Sequence, residues 1–284
     1  MVRNTTDYRA VVTYKLKTVL KLHHCSRNVC SVKMSFKDKV VIVTGGSSGI
    51  GAAVAVAFAK EGAHVAVVGR NETKLAAVEQ ECASLGQPPL VIKADVSKDD
   101  DAKRIIEATV ERFGKLDILI NNAGISRPGS VADGKLIQAY DEVLATNLRA
   151  PMQLTMLASQ HLIKTKGNII NVSGIGGLYA SSVPHMISSA SKAALNNFTI
   201  NSALELSVHG VRVNAVSPGP VYTDILENSN YYPNDWDVFK PHTALNRVSE
   251  PVEVADLVLF LASDKAKAIT GSNYVCDNGM LLKR

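Results

Sequence analysis

The segment Thr44-Gly45-Gly46-Ser47-Ser48-Gly49-Ile50-Gly51 has residue types and spacing suited to holding a phosphate. It follows the apolar run Val40-Val41-Ile42-Val43 and opens a helical pattern. A dinucleotide pyrophosphate sits against backbone N–H groups at a helix N-terminus, where side chains would block its approach. Glycines therefore fall where backbone meets phosphate or where strand meets helix. A plain glycine-rich turn would have the same composition, but the strand–turn–helix setting favours cofactor binding. The second candidate lies at the end of the next strand, Val67-Val68-Gly69-Arg70-Asn71. A site for NAD(H) would place an acid there to accept from the ribose 2′-hydroxyl. Gly69 stands in that place, and the Arg70 guanidinium suits a 2′-phosphate. NADP(H) is favoured over NAD(H), against the plainer account of a solvated arginine at a strand end.

These residues need a scaffold, and the chain alternates accordingly. The run Val40 to Val43 reads as a strand buried on both faces. Helical patterns over Ala52 to Glu61, Glu72 to Leu85 and Lys98 to Phe113 alternate with strands at His64 to Val68, Leu90 to Ile92 and Ile118 to Ile120. Gly86 and Gly114 are stop signals. Asn168 to Val172 and Val211 to Val216 read as strands around a long helix beginning near Ser188. Strands alternating with helices predict an α/β fold, a single Rossmann-type doubly wound parallel sheet with helices on both faces.

Composition limits what else the chain can be. Of its 284 residues, 46% are hydrophobic and 20% charged, which excludes a disordered or collagenous chain. No apolar run is long enough to span a membrane. Cys25, Cys30, Cys82 and Cys276 have no CxxC spacing and read as reduced thiols, and no metal site is expected. Residues 1–33 hold seven basic residues against the single acid Asp7, a net +6 that leaves −1 for the rest. The body is thus neutral and offers no nucleic-acid footprint. The division predicted is a basic extension over 1–33 and one domain over 34–284. The extension resembles a mitochondrial presequence. A dispensable tail before Met34-Ser-Phe-Lys-Asp-Lys, on a cytoplasmic protein, is preferred to mitochondrial targeting.

The glycine spacing is Gly-x-x-x-Gly-x-Gly, and here the chain resembles the classical short-chain dehydrogenase/reductase family. Nearly the whole chain after Met34 carries further matches. Asn121-Asn122-Ala123-Gly124 follows the fourth strand as that family's Asn-Asn-Ala-Gly motif does. Asp95-Val96 stands where the family contacts adenine. Asn147 matches a helix asparagine, and Ser191-Lys192-Ala193-Ala194 matches the segment of the catalytic lysine. Pro218-Gly219 with Val221 and Thr223 matches the nicotinamide-side motif. Ile269-Thr270-Gly271 and Asp277 resemble the C-terminal signature, with Asn278 where glycine is usual. The resemblance extends to 3-oxoacyl-carrier-protein reductase-like and glucose dehydrogenase-like members and leaves the substrate open. It implies that Gly45, Ser47, Ser48, Gly49, Ile50 and Gly51 cradle the pyrophosphate. Asn121, Ala123, Gly124 and Lys192 would line the rest of the cofactor site.

The resemblance implies hydride transfer at a carbinol or carbonyl carbon. A tyrosine moves the hydroxyl proton, a lysine lowers that tyrosine's pKa and holds the ribose, a serine orients the substrate oxygen, and an asparagine supports a water relay. Counting back from Lys192 in the Tyr-x-x-x-Lys pattern lands on Ser188. A phenol has a reference pKa near ~10, which a neighbouring cation brings toward neutrality. An aliphatic hydroxyl is a far weaker acid, and Ser188 is shorter by several ångströms. The serine position is altered too. Asn171-Val172-Ser173-Gly174 resembles Asn-Val-Ser-Ser, with Gly174 in place of the usual catalytic serine. Ser173 serves if the loop shifts. The stretch from Asn171 to Lys192 is about one residue longer than usual, which points to a rebuilt loop. Tyr179 and His185 in that loop are alternative proton donors, although ordinary loop roles suit them as well. The catalytic set expected is Asn147, Ser173, Ser188 and Lys192.

Tyr231, Tyr232, Trp236 and Phe239 fall in a stretch of weak pattern that covers the substrate in this family. They suggest an apolar or ring-bearing ligand, or simply pin a long loop. The long helix resembles one the family packs into dimers and tetramers. Its Leu195, Phe198, Ser202 and Leu206 would form a buried or partner-facing stripe. Two functions compete: an NADP(H)-dependent oxidoreductase of alcohols and carbonyls with an atypical proton donor, and a catalytically silent NADP-binding protein. Retention of Asn147, Lys192 and the Pro218-Gly219 turn favours the enzyme.

Overall fold

The computed structural model describes residues 35–179, 185–229 and 235–283. The basic extension over 1–33, and Tyr231 and Tyr232, lie outside the described residues. Strands β1 (Val40–Thr44), β2 (His64–Gly69), β3 (Leu90–Lys93), β4 (Ile118–Asn121), β5 (Asn168–Val172), β6 (Arg212–Pro218) and β7 (Asn273–Cys276) form one sheet. Its order is β3-β2-β1-β4-β5-β6-β7, and every pairing is parallel. The helices are α1 (Gly49–Lys60), α2 (Glu72–Leu85), α3 (Asp99–Phe113), α4 (Leu136–Leu144), α5 (Ala150–Thr165), α6 (Met186–Ser207), α7 (Ile225–Ser229) and α8 (Pro251–Ala262). The expected single doubly wound α/β sheet is what forms.

The β1 sequence explains the layering. All five of its residues are buried, so alternate side chains serve opposite cores. Val41 and Val43 pack in a cluster with Val54 and Phe58 of α1 and Val254 and Val258 of α8. Val40 and Ile42 join the other cluster, with Ile105 of α3, Leu154 of α5 and Leu206 of α6. The chain order reverses between β1 and β4. In open α/β sheets that switch point makes a crevice at the carboxyl ends of the strands, where ligands bind.

Local chemistry sets the element ends. Asn71 caps α2, its Oδ1 accepting from Lys74 N at 3.0 Å. Gly114 ends α3 in a left-handed conformation. Glu250 and Glu253 form a capping box at α8, with Pro251 in the first turn. Of the expected stripe on α6, Leu195, Ser202 and Leu206 are buried in the chain's own core and Phe198 is half-buried. Ile200, Leu204 and Val208 are exposed instead. No helix among the described residues is long and apolar enough to cross a membrane.

Candidate functional site

The carboxyl ends of β1, β2, β4, β5 and β6 surround a cavity of about 710 Å³. Its floor is the β1–α1 turn. Gly45 adopts φ +63°, and a Cβ there would stand 2.8 Å from Ala123 Cα. Gly49 adopts φ +54°, with Thr223 Cγ2 only 2.7 Å from the place of its Cβ. Both positions are closed to side chains by conformation and by space. The Thr44 hydroxyl fixes the neighbouring loop, accepting from Asn122 N at 3.0 Å and Ala123 N at 3.1 Å. Asn122 Nδ2 donates back to Thr44 O at 2.9 Å. Ser48 makes no side-chain bond to the first turn of α1. The first-turn N–H groups therefore keep their capacity to meet an anion.

At one end of the cavity stands Arg70, beside Asp95 and Val96. A Cβ on Gly69 would lie 3.0 Å from Ser47 Cβ and 3.2 Å from Leu75 Cδ2, so an acidic side chain at this position would require both to shift. Lys74 reaches across to pair with Asp224, which that bond and the Ser48 hydroxyl hold below the usual carboxylate range. At the other end, Lys192 Nζ donates to Val172 O at 2.8 Å. Burial pushes this ammonium down to about 8. Asn147 occupies a π-helical turn over Ala145–Arg149, and such turns recur at functional positions. Its Oδ1 accepts from Ile125 N at 2.8 Å, and its Nδ2 donates to Ile125 O at 3.0 Å and Ser191 Oγ at 3.1 Å. A Cβ on Gly124 would stand 3.5 Å from both Asn147 Oδ1 and Lys192 Nζ.

Most of the residues expected at the site line this cavity. Gly45, Ser47, Ser48, Gly49 and Ile50 do so from the turn, and Ala123 and Gly124 from the β4 end. Pro218 ends β6 and Gly219, Val221 and Thr223 follow it, and Ser173, Ser188 and Lys192 close the far side. Gly51, Asn121 and Asn147 stand behind the wall. A Cβ on Gly51 would meet Gly45 O at 2.1 Å, so this glycine permits the turn to close on itself. Asn121 is buried and donates to Asn171 Oδ1 at 2.9 Å, joining β4 to β5. Its neighbour Asn122 faces the cavity; the doubled asparagine is visible in the sequence, but which of the pair points inward depends on where β4 ends.

The reacting end holds the expected Ser173, Ser188 and Lys192. Ser188 lies on the first turn of α6, where its carbonyl accepts from Ser191 Oγ at 2.6 Å. Ser173 is buried, and its hydroxyl donates to Lys192 O at 3.2 Å. Gly174 is extended, with φ 167°, and a Cβ there would meet nothing closer than 3.9 Å. Tyr179 and His185 both line the cavity, and burial holds the His185 imidazole below its ordinary range. Ser126 is a lining residue that sequence reasoning missed, and its Oγ lies 2.9 Å from His185 Nδ1. Trp236 and Phe239 line the outer side, their rings 5.7 Å apart, with Trp236 Nε1 donating to Thr223 O at 3.1 Å.

Comparison with known proteins agrees with this geometry. The family profile described as Enoyl-(Acyl carrier protein) reductase matches residues 45–281. Glucose 1-dehydrogenase of Gluconobacter oxydans (strain 621H) is 36% identical over 255 residues, covering 88% of this chain and 94% of that protein. The solved short-chain dehydrogenase/reductase of unknown function from Caenorhabditis elegans, determined with cofactor, superposes with a TM-score of 0.82 at 32% identity, covering 88% of this chain and 97% of that one. A short-chain dehydrogenase from Burkholderia cenocepacia J2315 in complex with NADP gives 0.80 at 32% identity, over 87% and 99% of the two chains. This chain belongs to the classical short-chain dehydrogenase/reductase family, whose members are oxidoreductases.

Proposed function

We propose that residues 34–284 form an NADP(H)-dependent oxidoreductase that interconverts an alcohol and a carbonyl compound using an atypical proton donor. The observation that carries this reading is one continuous cavity joining Arg70, the uncapped N-terminus of α1 and Lys192. Bound there, NADP(H) supplies or accepts the hydride. The protein's own residues would do the rest. Arg70 would pair with the 2′-phosphate, and the first turn of α1 would meet the pyrophosphate. Lys192 would hold the ribose, and Trp236 and Phe239 would offer an apolar wall to the substrate. Ser188 is short and only weakly acidic, so it serves poorly as the donor.

In further support of NADP(H) over NAD(H), Ser47 and Leu75 crowd the position where an acid would have to stand. The exposed Ile200 and Leu204 of α6, with Val208 just past its end, suit burial against a second copy, so a homodimer or homotetramer is proposed. The extension over 1–33 is proposed to be dispensable for cofactor binding. The deciding experiment is an NADPH-oxidation screen over aldehydes, ketones, quinones and 3-oxoacyl thioesters, with NADPH binding measured in parallel. Turnover of any class supports the enzyme. Tight NADPH binding with no turnover, in either direction, supports the catalytically silent alternative.

A further inference from the structure

We propose that Ser126 and His185 form the proton relay of this reaction: the substrate hydroxyl proton passes to Ser126 Oγ as the serine's own proton passes to His185 Nδ1. The inference rests on the function proposed above and supplies the proton path that Ser188 lacks. The two groups are 2.9 Å apart, within hydrogen-bond reach, and both line the cavity with Ser188 and Lys192.

The relay is held by the elements that hold the rest of the site. Ser126 follows Ile125, whose N–H and C=O are both bound by Asn147. Two residues earlier, Gly124 lies against Asn147 Oδ1 and Lys192 Nζ. His185 is the N-cap residue of α6, three residues before Ser188. Its ring therefore stands one helical turn from the position where the family resemblance implies a phenol. An isolated serine is a poor acid or base, but an adjacent imidazole makes its hydroxyl competent to exchange a proton. Burial holds the imidazole in its neutral form at neutral pH, the form that can take a proton.

In alcohol oxidation the carbinol C–H bond breaks as hydride passes to the oxidised nicotinamide, and the C=O double bond forms. The O–H proton goes to Ser126 Oγ and the serine proton goes to His185 Nδ1, which carries it as the imidazolium; His185 Nε2 is buried, so the proton leaves again through Nδ1 and Ser126 once the product has gone. Carbonyl reduction runs the same path backward and needs His185 protonated. The other charged or titratable groups lining the cavity are Arg70, Asp95, Arg127, Tyr179, Lys192, Asp224 and His242. Arg127 is paired with Glu142 at 2.7 Å and Asp224 with Lys74.

The test uses the full chain and the best substrate from the screen, with NADPH affinity measured by nicotinamide fluorescence on every variant. In the wild type, kcat/KM for oxidation should rise with pH to a plateau at an apparent pKa below 6.5, and reduction should show the opposite limb. Ser126→Ala and His185→Gln should each lose on the order of 10²-fold or more in kcat while binding NADPH normally. His185→Gln should also lose the acid limb, and Ser126→Thr, which keeps a hydroxyl, should restore most of the rate. In the protein without cofactor, Ser126→Ala should raise the His185 pKa measured by NMR, because the bond from serine favours the neutral ring. Unchanged turnover and pH profile in Ser126→Ala and His185→Gln, or an unchanged His185 titration in Ser126→Ala, would overturn the relay and leave the proposed function standing. A wild type that binds NADPH and turns over no substrate removes both.

Discussion

The Arg70 guanidinium stands 3.9 Å from the Asp95 carboxylate, at the carboxyl ends of β2 and β3. Asp95 Oδ1 is already engaged by Ser97, accepting from its N at 3.0 Å and its Oγ at 2.8 Å. Only Oδ2 faces Arg70, at a separation longer than a hydrogen bond. The arginine side chain is 65% exposed, so it can turn to a phosphate without leaving a buried partner behind.

From this pair we expect NADPH to bind more tightly than NADH, and Arg70→Ala to remove most of the difference. One charge-assisted contact corresponds to roughly ten- to hundred-fold in affinity. The preference should shrink with added salt, since the contact is exposed. Titration by nicotinamide fluorescence checks it, and equal affinities in the wild type would refute the NADP(H) assignment.

Lys192 gives a pH dependence. Its ammonium is pushed down to about 8 by burial, so in the free protein its charge is present at pH 6 to 7 and lost as pH rises past about 8. The NADPH dissociation constant should be flat at the lower values and climb above pH 8. Lys192→Ala should weaken binding at pH 7, flatten that climb and abolish turnover. Calorimetry across the pH series measures both effects.

How much of this was legible in the sequence differs by layer. The strands of the first half stand out because buried parallel strands are short apolar runs between glycines, as β1 and β2 are. Helix α8 was missed although Glu250-Pro251-Val252-Glu253 spells a capping box with proline in the first turn. Its nearly all-apolar body hides the helical period, because α8 lies deep against the sheet. Strand β7 was missed because Asn273–Cys276 is short and only half-buried. Asn278, odd where glycine is usual, has φ +53°, a conformation asparagine tolerates, and its Nδ2 donates to Ser249 Oγ at 2.8 Å. The cofactor end was readable because backbone geometry constrains it. The reacting end was readable only in part: His185 stands out beside Tyr179 as an alternative donor, but Ser126 lies 59 residues away and meets it only through the fold.

A stability prediction follows from Asp117, where β1 and β4 begin. Burial pushes its carboxyl up, but the Val40 N–H at 2.9 Å, Lys115 at 2.9 Å and Lys39 at 3.2 Å outweigh that and hold it below the usual range. With the folded-state pKa depressed, its contribution is present above the unfolded value near ~3.9 and lost as pH falls below it. Asp117→Asn should cost about 1.5–3 kcal/mol at pH 7 and less at pH 3. Urea unfolding at the two pH values checks the sign.

The charge break before Met34 carries another expectation. A chain beginning at Met34 should fold and bind NADPH as the full chain does. A large fall in Tm on truncation would count against a dispensable extension. Import of a fusion of residues 1–33 to a reporter into mitochondria would favour the presequence reading.

The last prediction concerns Gly174 and Ser188 together. Ser188→Ala should leave turnover nearly unchanged, because a short aliphatic hydroxyl contributes little as an acid and the relay through Ser126 bypasses it. Wild-type turnover should be slow by the standards of the family. Gly174 is extended, and a side chain there would meet only ordinary contacts, so Gly174→Ser fits without strain. Ser188→Tyr extends a phenol into the cavity from the first turn of α6. The second turn of that helix is held firmly: Gly177 packs so closely that a Cβ would stand 2.6 Å from Lys192 C. The double variant therefore rebuilds the serine, tyrosine and lysine set that the family resemblance implies, with Lys192 available to lower the phenol's pKa. We expect kcat to rise about tenfold or more, with the pH limb moving away from His185 toward the new phenol. A double variant that binds NADPH normally, with neither a faster kcat nor a moved limb, would show that the loop after Gly174 carries the phenol away from the reacting carbon.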